Sequence, residues 1–360
     1  MMVTTTDWPF ITVTTPCETF LTSPSLCSGS FGCYHSRLPR KIDGQRPGPS
    51  RTLRGTLMQR REFIKYTTST LIAGAFGTIA ARADNKTAGE AHMAKVNANG
   101  ITINYERQGT GEPLVLIPYL AADHACYAFQ VADYAKHFTC ISLDPRGTGE
   151  TDKPDGTYSM ELFADDVAAF MQAIGVERAH ISGLSLGAAT GLWLGGKYPE
   201  RVKSLSLHSC WPKSDAFLKT VVEGWQSTAK GLNSVPEMII QGILPWCFTP
   251  EFYSSNPEFM DKVAAFVRSR PKQPLDAFIR ESNAVIAHDA LAQLARIKAP
   301  TQITLGRHDQ VCGPRFADTL TKGIEGSELV VFESCSHAPI YQSTAEFNEK
   351  TLSFLKRHTG

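Results

Sequence analysis

The stretch AHISGLSLGAAT, residues Ala179 to Thr190, sets one serine between two glycines in the order Gly183-Leu184-Ser185-Leu186-Gly187. A pattern this short proves little alone, so its reading rests on what flanks it. Upstream, RAHISGLS (178–185) is a short apolar run that reads as a buried strand. Downstream, LGAATGLWLGGKYP opens a helix of small residues. A strand that ends at a serine and a helix that starts just after it need a sharp turn. Gly183 and Gly187 let the chain make that turn, which lifts the Ser185 hydroxyl above the sheet. The helix N-terminus behind it offers backbone N–H groups to a developing oxyanion. Ser185 is therefore a candidate nucleophile.

The surrounding chain repeats the same alternation. PLVLIPY (113–119), FTCISLD (138–144), RVKSLSLHSC (201–210), PTQITLG (300–306) and SELVVFES (327–334) read as further buried strands. ITINYER (101–107) alternates in polarity and is expected to be an antiparallel edge strand. Between the strands lie helical periods. In SMELFADDVAAFMQAIG, for example, Phe163, Val167, Phe170, Met171 and Ile174 form one stripe that would pack on a sheet. Strands alternating with helices of this length predict a mostly parallel sheet covered on both faces. The alternation breaks once, over residues 211–297, where only amphipathic helical text and Pro turns occur. That segment is expected to be a helical lid inserted between core strands.

A nucleophilic serine needs a base, and the base needs an acid to orient it. Strand PTQITLG is followed by Arg307-His308-Asp309, and strand SELVVFES by Cys335-Ser336-His337. Asp309 and His337 thus stand in loops after later strands, in the chain order serine, acid, histidine. His308 is the one rival base. The oxyanion donors by position are the amides of Leu186, just after the serine, and of Leu120, in the loop after PLVLI. Tyr119 in that loop, with Trp246 and Phe248 in the insertion, are the candidate substrate contacts. Aromatic residues in the insertion (Trp225, Phe252 and Phe259 besides these two) suggest an apolar or aromatic substrate, with packing inside the lid as the alternative.

On these motifs the chain from about residue 97 to 357 resembles the α/β-hydrolase superfamily. It is similar in particular to the branch containing 3-oxoadipate enol-lactonases and related esterases. The text carrying the likeness is DPRGTGETDKPDGTYSMELFADDVAAFMQAIGVERAHISGLSLGAATGLWLGGKYPERVKSLSL. The resemblance implies an α/β-hydrolase fold, with Ser185, Asp309 and His337 as a triad and Leu120 and Leu186 as oxyanion donors. It implies cleavage of a small-molecule carboxylic ester or lactone through an acyl-enzyme. A carbon–carbon bond hydrolase or cofactor-free haloperoxidase on the same triad is the enzymatic alternative, and a non-catalytic binding or receptor protein the remote one. The chain departs from many relatives at Pro118-Tyr119, where His-Gly is common, at Ala188 and at Thr151. A serine nucleophile argues against the dehalogenase and epoxide hydrolase branches, which use aspartate. No cofactor or metal is expected: Gly109-Thr110-Gly111 and Gly147-Thr148-Gly149 lack the third glycine of a dinucleotide loop, and no H-E-x-x-H occurs.

The first 83 residues read differently. Residues 1–57 are rich in Thr, Ser, Pro and Arg and look disordered, or like an extension from a start codon assigned too early. Residues 58–83, MQRREFIKYTTSTLIAGAFGTIAARA, carry Arg60-Arg61, a short apolar run and a small-residue cleavage pattern ending at Ala83. This resembles a twin-arginine signal, which implies the bacterial twin-arginine export machinery as a partner and a periplasmic or secreted product. The apolar run is too short to anchor the chain in a bilayer. The expected mature parts are core residues 84–210, the lid 211–297 and core residues 298–360. Residues 1–83 hold ten Lys/Arg and four Asp/Glu, so the remainder carries 26 basic and 31 acidic groups, a net charge of −5 that offers nucleic acid no basic patch. Cys312 lies three residues after Asp309 and Cys335 two before His337. Loops that must meet could bring these thiols into disulfide range, the alternative being two buried, unpaired thiols.

Overall fold

A computed structural model of the protein describes residues 89–360. The expected N-terminal extension and export signal, and the Ala83–Asp84 junction, lie outside the described residues. Eight strands form one sheet: β1 (His92–Ala98), β2 (Ile101–Gln108), β3 (Glu112–Ile117), β4 (Phe138–Leu143), β5 (Ala179–Leu184), β6 (Val202–His208), β7 (Thr301–Gly306) and β8 (Glu328–Phe332). Their order across the sheet is β1-β2-β4-β3-β5-β6-β7-β8. The β1–β2 and β2–β4 pairs are antiparallel and all the others parallel.

The central strands are buried at nearly every position because both faces of the sheet are covered. Along β3, Val115 and Ile117 enter one buried cluster while Leu114 and Leu116 enter the other. That period of two is the pleat itself. Eight helices of seven or more residues are labelled here: α1 (Ala128–Tyr134), α2 (Met160–Ala173), α3 (Leu186–Lys197), α4 (Ala216–Leu232), α5 (Pro257–Ser269), α6 (Leu275–Ala287), α7 (Ala317–Gly323) and α8 (Thr344–Arg357). The predicted stripe on α2 packs as expected, with Phe163, Val167, Phe170 and Met171 buried in the first cluster and Ile174 against it. Ser159 starts that helix by accepting the Leu162 amide at 3.0 Å. Helices α1 and α8 cover the opposite face, through Val131 and Tyr134 on one and Phe347, Phe354 and Leu355 on the other.

The edge assignment needs correcting. Ile101–Gln108 is an interior strand, and β1 takes the edge. Asn99 and Gly100 join the two strands, both in the left-handed region (φ 47° and 75°), the geometry that favours an Asn-Gly hairpin. Between β6 and β7 the chain is helical, as expected of the inserted lid: α4, a run of short turns over 235–255, α5, α6 and the turn Leu291–Leu294. One of those turns, Ile239–Ile243, is a single π turn. Among the described residues no helix is long and apolar enough to cross a membrane.

Candidate active site

Ser185 sits at φ 54° and ψ −114°, between the end of β5 and the first residue of α3. This is a strained conformation for a side chain other than glycine, held by its surroundings. The Ser185 amide donates to the His208 carbonyl at 2.8 Å, and its carbonyl accepts from Ala189 at 2.9 Å. The flanking glycines are required by close approach. A Cβ on Gly183 would overlap the Gly187 carbonyl, and one on Gly187 would overlap the Ile117 carbonyl oxygen of β3.

The loops after β7 and β8 complete the arrangement. His337 Nε2 lies 3.1 Å from Ser185 Oγ, and His337 Nδ1 lies 2.9 Å from Asp309 Oδ2. The other Asp309 oxygen accepts the Val311 and Cys312 amides at 2.8 and 3.0 Å, which fixes the carboxylate plane. Ser209 Oγ donates to the His337 carbonyl at 2.7 Å, holding the histidine backbone from β6. All three side chains are nearly buried. A hydroxyl, an imidazole and a carboxylate in series can pass a proton from the serine to the histidine while the carboxylate stabilises the imidazolium.

Three buried histidines have their rings committed elsewhere. His208 bonds Ser182 and Thr304, and burial pushes its pKa down to about 3. His288 faces the Trp211 carbonyl and is lowered by burial to about 4. His180 bridges Ser204 and Glu112 at the other end of β5. The His308 amide donates to the Cys335 carbonyl.

Leu186 is the first residue of α3, where an amide has no acceptor within the helix. Leu120 shares with Ser185 and His337 the wall of one cavity. Tyr119 and Phe248 also line it, as do Trp225 and Phe259. Trp246 does not. It lies on the turn Leu244–Cys247, whose residues Leu244 and Cys247 face the cavity three apart, so Trp246 points away and packs edge-on against Phe217. Phe252 stacks on Phe248 at 5.3 Å behind the wall. Sequence reasoning missed Trp211, Val311 and Tyr341 as lining residues. Tyr119 and Tyr341 join their hydroxyls at 3.0 Å, and Tyr341 donates to the Cys126 carbonyl at 2.7 Å. Burial raises both phenol pKa values. Among the described residues, no Asp, Glu, Lys or Arg lines the cavity.

Cys312 and Cys335 are free thiols. They belong to different buried clusters, Cys312 with Val311 and Phe316 and Cys335 with Phe332 and Ala338, so the meeting of the two loops does not bring the sulfurs together. Asp123, His124 and Asp144 place ligand atoms within 4.8 Å of one another. Each is already occupied: His124 Nδ1 meets Asp144 at 2.6 Å, and Asp123 pairs with Arg270 at 2.8 Å. Burial works against a charge on His124, but the Asp144 carboxylate outweighs it and raises the pKa.

The chain matches the alpha/beta hydrolase fold family over residues 112–344. It is similar to 3-oxoadipate enol-lactonase 2 of Acinetobacter baylyi, 25% identical over 272 residues that cover 73% of this chain and 96% of that one. The solved enol-lactonase of Burkholderia xenovorans LB400 superposes with a TM-score of 0.67 at 23% identity, over 73% of this chain and 100% of that one. The solved Est816, described as an N-acyl homoserine lactone degrading enzyme, gives a TM-score of 0.62 at 27% identity, over 72% of this chain and 100% of its own. With its mostly parallel eight-stranded sheet, its inserted helical lid and this family match, the chain belongs to the α/β-hydrolase family.

Proposed function

We propose that the protein is a serine hydrolase that cleaves a carboxylic ester or lactone with an apolar chain, through an acyl-enzyme on Ser185. The observation that carries this reading is the unbroken series Ser185 Oγ, His337, Asp309, with both links at 3.1 Å or less. His337 takes the Ser185 proton as the oxygen attacks the carbonyl carbon. Asp309 keeps the imidazole oriented and stabilises its charge. The amides of Leu120 and Leu186 hold the oxyanion, and His337 returns the proton to the leaving oxygen. A water then repeats the sequence on the acyl-enzyme. Membership of a hydrolase family with enol-lactonase relatives supports the reaction type.

The cavity supports the substrate class. Apart from Ser185 and His337 its wall is aliphatic, aromatic and sulfur-bearing, and among the described residues no Lys or Arg stands there to meet a second carboxylate. Each methylene moved from water into such a wall contributes about 0.8 kcal/mol, or up to about fourfold in kcat/KM. Nitrophenyl esters from two to eight carbons are therefore expected to rise by roughly two- to fourfold per methylene. An ester of the same length ending in a carboxylate should fall by about 100-fold or more, because its charge would be buried unpaired. Rates that drop with chain length, or that favour the carboxylate, would contradict the apolar assignment.

We also propose that residues 58–83 direct twin-arginine export and that cleavage follows Ala83. The order of Arg60-Arg61, apolar run and small-residue site supports it. Expressed in a bacterium with that pathway, the protein should appear in the periplasm with Asp84 as its first residue by N-terminal sequencing. An uncut chain confined to the cytoplasm would exclude export.

A further inference from the structure

Helix α6 carries one carboxyl group into the interior that the reaction above does not use. Glu281 is fully buried, and no cation is among its hydrogen-bond partners. Its Oε2 accepts from the Ala121 amide at 3.2 Å and from Gln273 Nε2 at 2.8 Å, while Oε1 is buried without a partner. The same Gln273 nitrogen donates to the Gly147 carbonyl at 3.0 Å. Two acceptors on one nitrogen fix which end of the Gln273 amide faces Glu281.

The amide that Glu281 holds is in a demanding place. Ala121 has φ 60°, a left-handed conformation unusual for a residue with a Cβ, and it directly follows Leu120. The Ala122 amide closes a turn over it by donating to the Tyr119 carbonyl at 3.1 Å, and a contact from outside that turn adds to the restraint. Glu281 supplies that outside contact on the Ala121 amide, and it comes from the lid rather than from the core.

We propose that Glu281 is a positioning residue which, through the Ala121 amide, fixes the loop that aims the Leu120 amide at the oxyanion. This rests on the serine-hydrolase reading of Ser185. Burial raises the Glu281 pKa to about 8, so at neutral pH the clamp is an uncharged carboxylic acid. Deprotonation would put a full negative charge one residue from the amide that must receive another, and kcat should fall on that side. The charged groups around it are already spoken for. Arg270 pairs with Asp123 of the oxyanion loop, Arg146 with Asp166, and Arg280 of the same helix with Asp276 and Asp155. Tyr158 is the titratable ring that feels Glu281, and from α4 the neighbouring contact is the uncharged Gln226, on Ser282.

The test compares Glu281→Leu and Glu281→Gln with the wild type on a nitrophenyl ester, across pH 6 to 9.5. Glu281→Leu should lower kcat at pH 7 by about tenfold or more while KM moves less than about threefold, the pattern of a lost transition-state contact. Glu281→Gln keeps the acceptor and the neutral state, so it should restore most of that loss and lack the decline in kcat centred near pH 8 that is expected of the wild type. Wild-type kcat in Glu281→Leu, or the same alkaline decline in Glu281→Gln, would overturn the proposal. Should Glu281→Leu fail to fold, the pH profile of Glu281→Gln decides alone. Failure of the underlying reading would show in the wild type itself, as a Ser185 that a fluorophosphonate does not label, and would overturn both.

Discussion

Replacing Ser185 by alanine is expected to lower kcat/KM by roughly four to six orders of magnitude with little change in melting. The Tyr119 and Tyr341 phenols at the same cavity bond each other and burial raises both pKa values, so neither is poised to replace the lost hydroxyl. The nearby thiols offer no substitute either, because burial raises the pKa of Cys126, Cys247 and Cys312 and keeps them protonated. The fold should survive because Ser185 Oγ makes one side-chain bond, to His337, and the strained backbone is set by the turn rather than by the hydroxyl. Intact mass after fluorophosphonate treatment supplies the paired measurement. The wild type should gain one phosphonyl group and the Ser185→Ala protein none. Turnover within tenfold of the wild type would take Ser185 out of the chemistry.

The second large effect is on stability. Gly187→Ala should cost about 3 kcal/mol or more, because the added methyl overlaps the Ile117 carbonyl oxygen and lies 2.7 Å from that of Pro118. Those atoms are backbone at the end of a central strand, so they cannot move aside as a flexible side chain would. For a domain of this size the loss corresponds to roughly 6–12 °C in Tm. Gly224→Ala is the control. That glycine lies within α4 and a Cβ there meets nothing within 4 Å, so the substitution should raise stability by roughly 0.5–1 kcal/mol. Equal melting of the two variants would mean that the turn is looser than its geometry requires.

Much of this architecture could be read from the chain because its signals are local. Seven of the strands were visible as alternating or continuous apolar runs. The two loops bearing Asp309 and His337 followed from the strands that precede them. The first strand escaped because HMAKVNA buries only Ala98 fully. Its clearest signal was the Asn99-Gly100 turn, a two-residue cue rather than a hydrophobic one. The cavity wall was legible only in part. Which way Trp246 faces depends on how a four-residue turn rotates after a π turn, a detail of tertiary packing that composition does not encode. Glu281 was invisible for a related reason. Nothing in IRESN shows that one of its charged residues is wholly buried.

The lid lies, in sequence, between the strand after Ser185 and the loop of Asp309. Where it meets the β8 loop, two of its ties are made by its backbone: the Cys247 carbonyl accepts from the Ala338 amide at 3.0 Å, and the Trp246 carbonyl from Ser336 Oγ at 2.8 Å. A main-chain carbonyl is present whatever side chain stands beside it. This seam therefore places few demands on sequence, and the lid can behave as an interchangeable part. Over generations its inner surface can drift toward new substrates while Ser185, Asp309 and His337, carried on other stretches of chain, stay where they are. Glu281 marks the limit of that freedom, since a replacement lid must still bring an acceptor to Ala121.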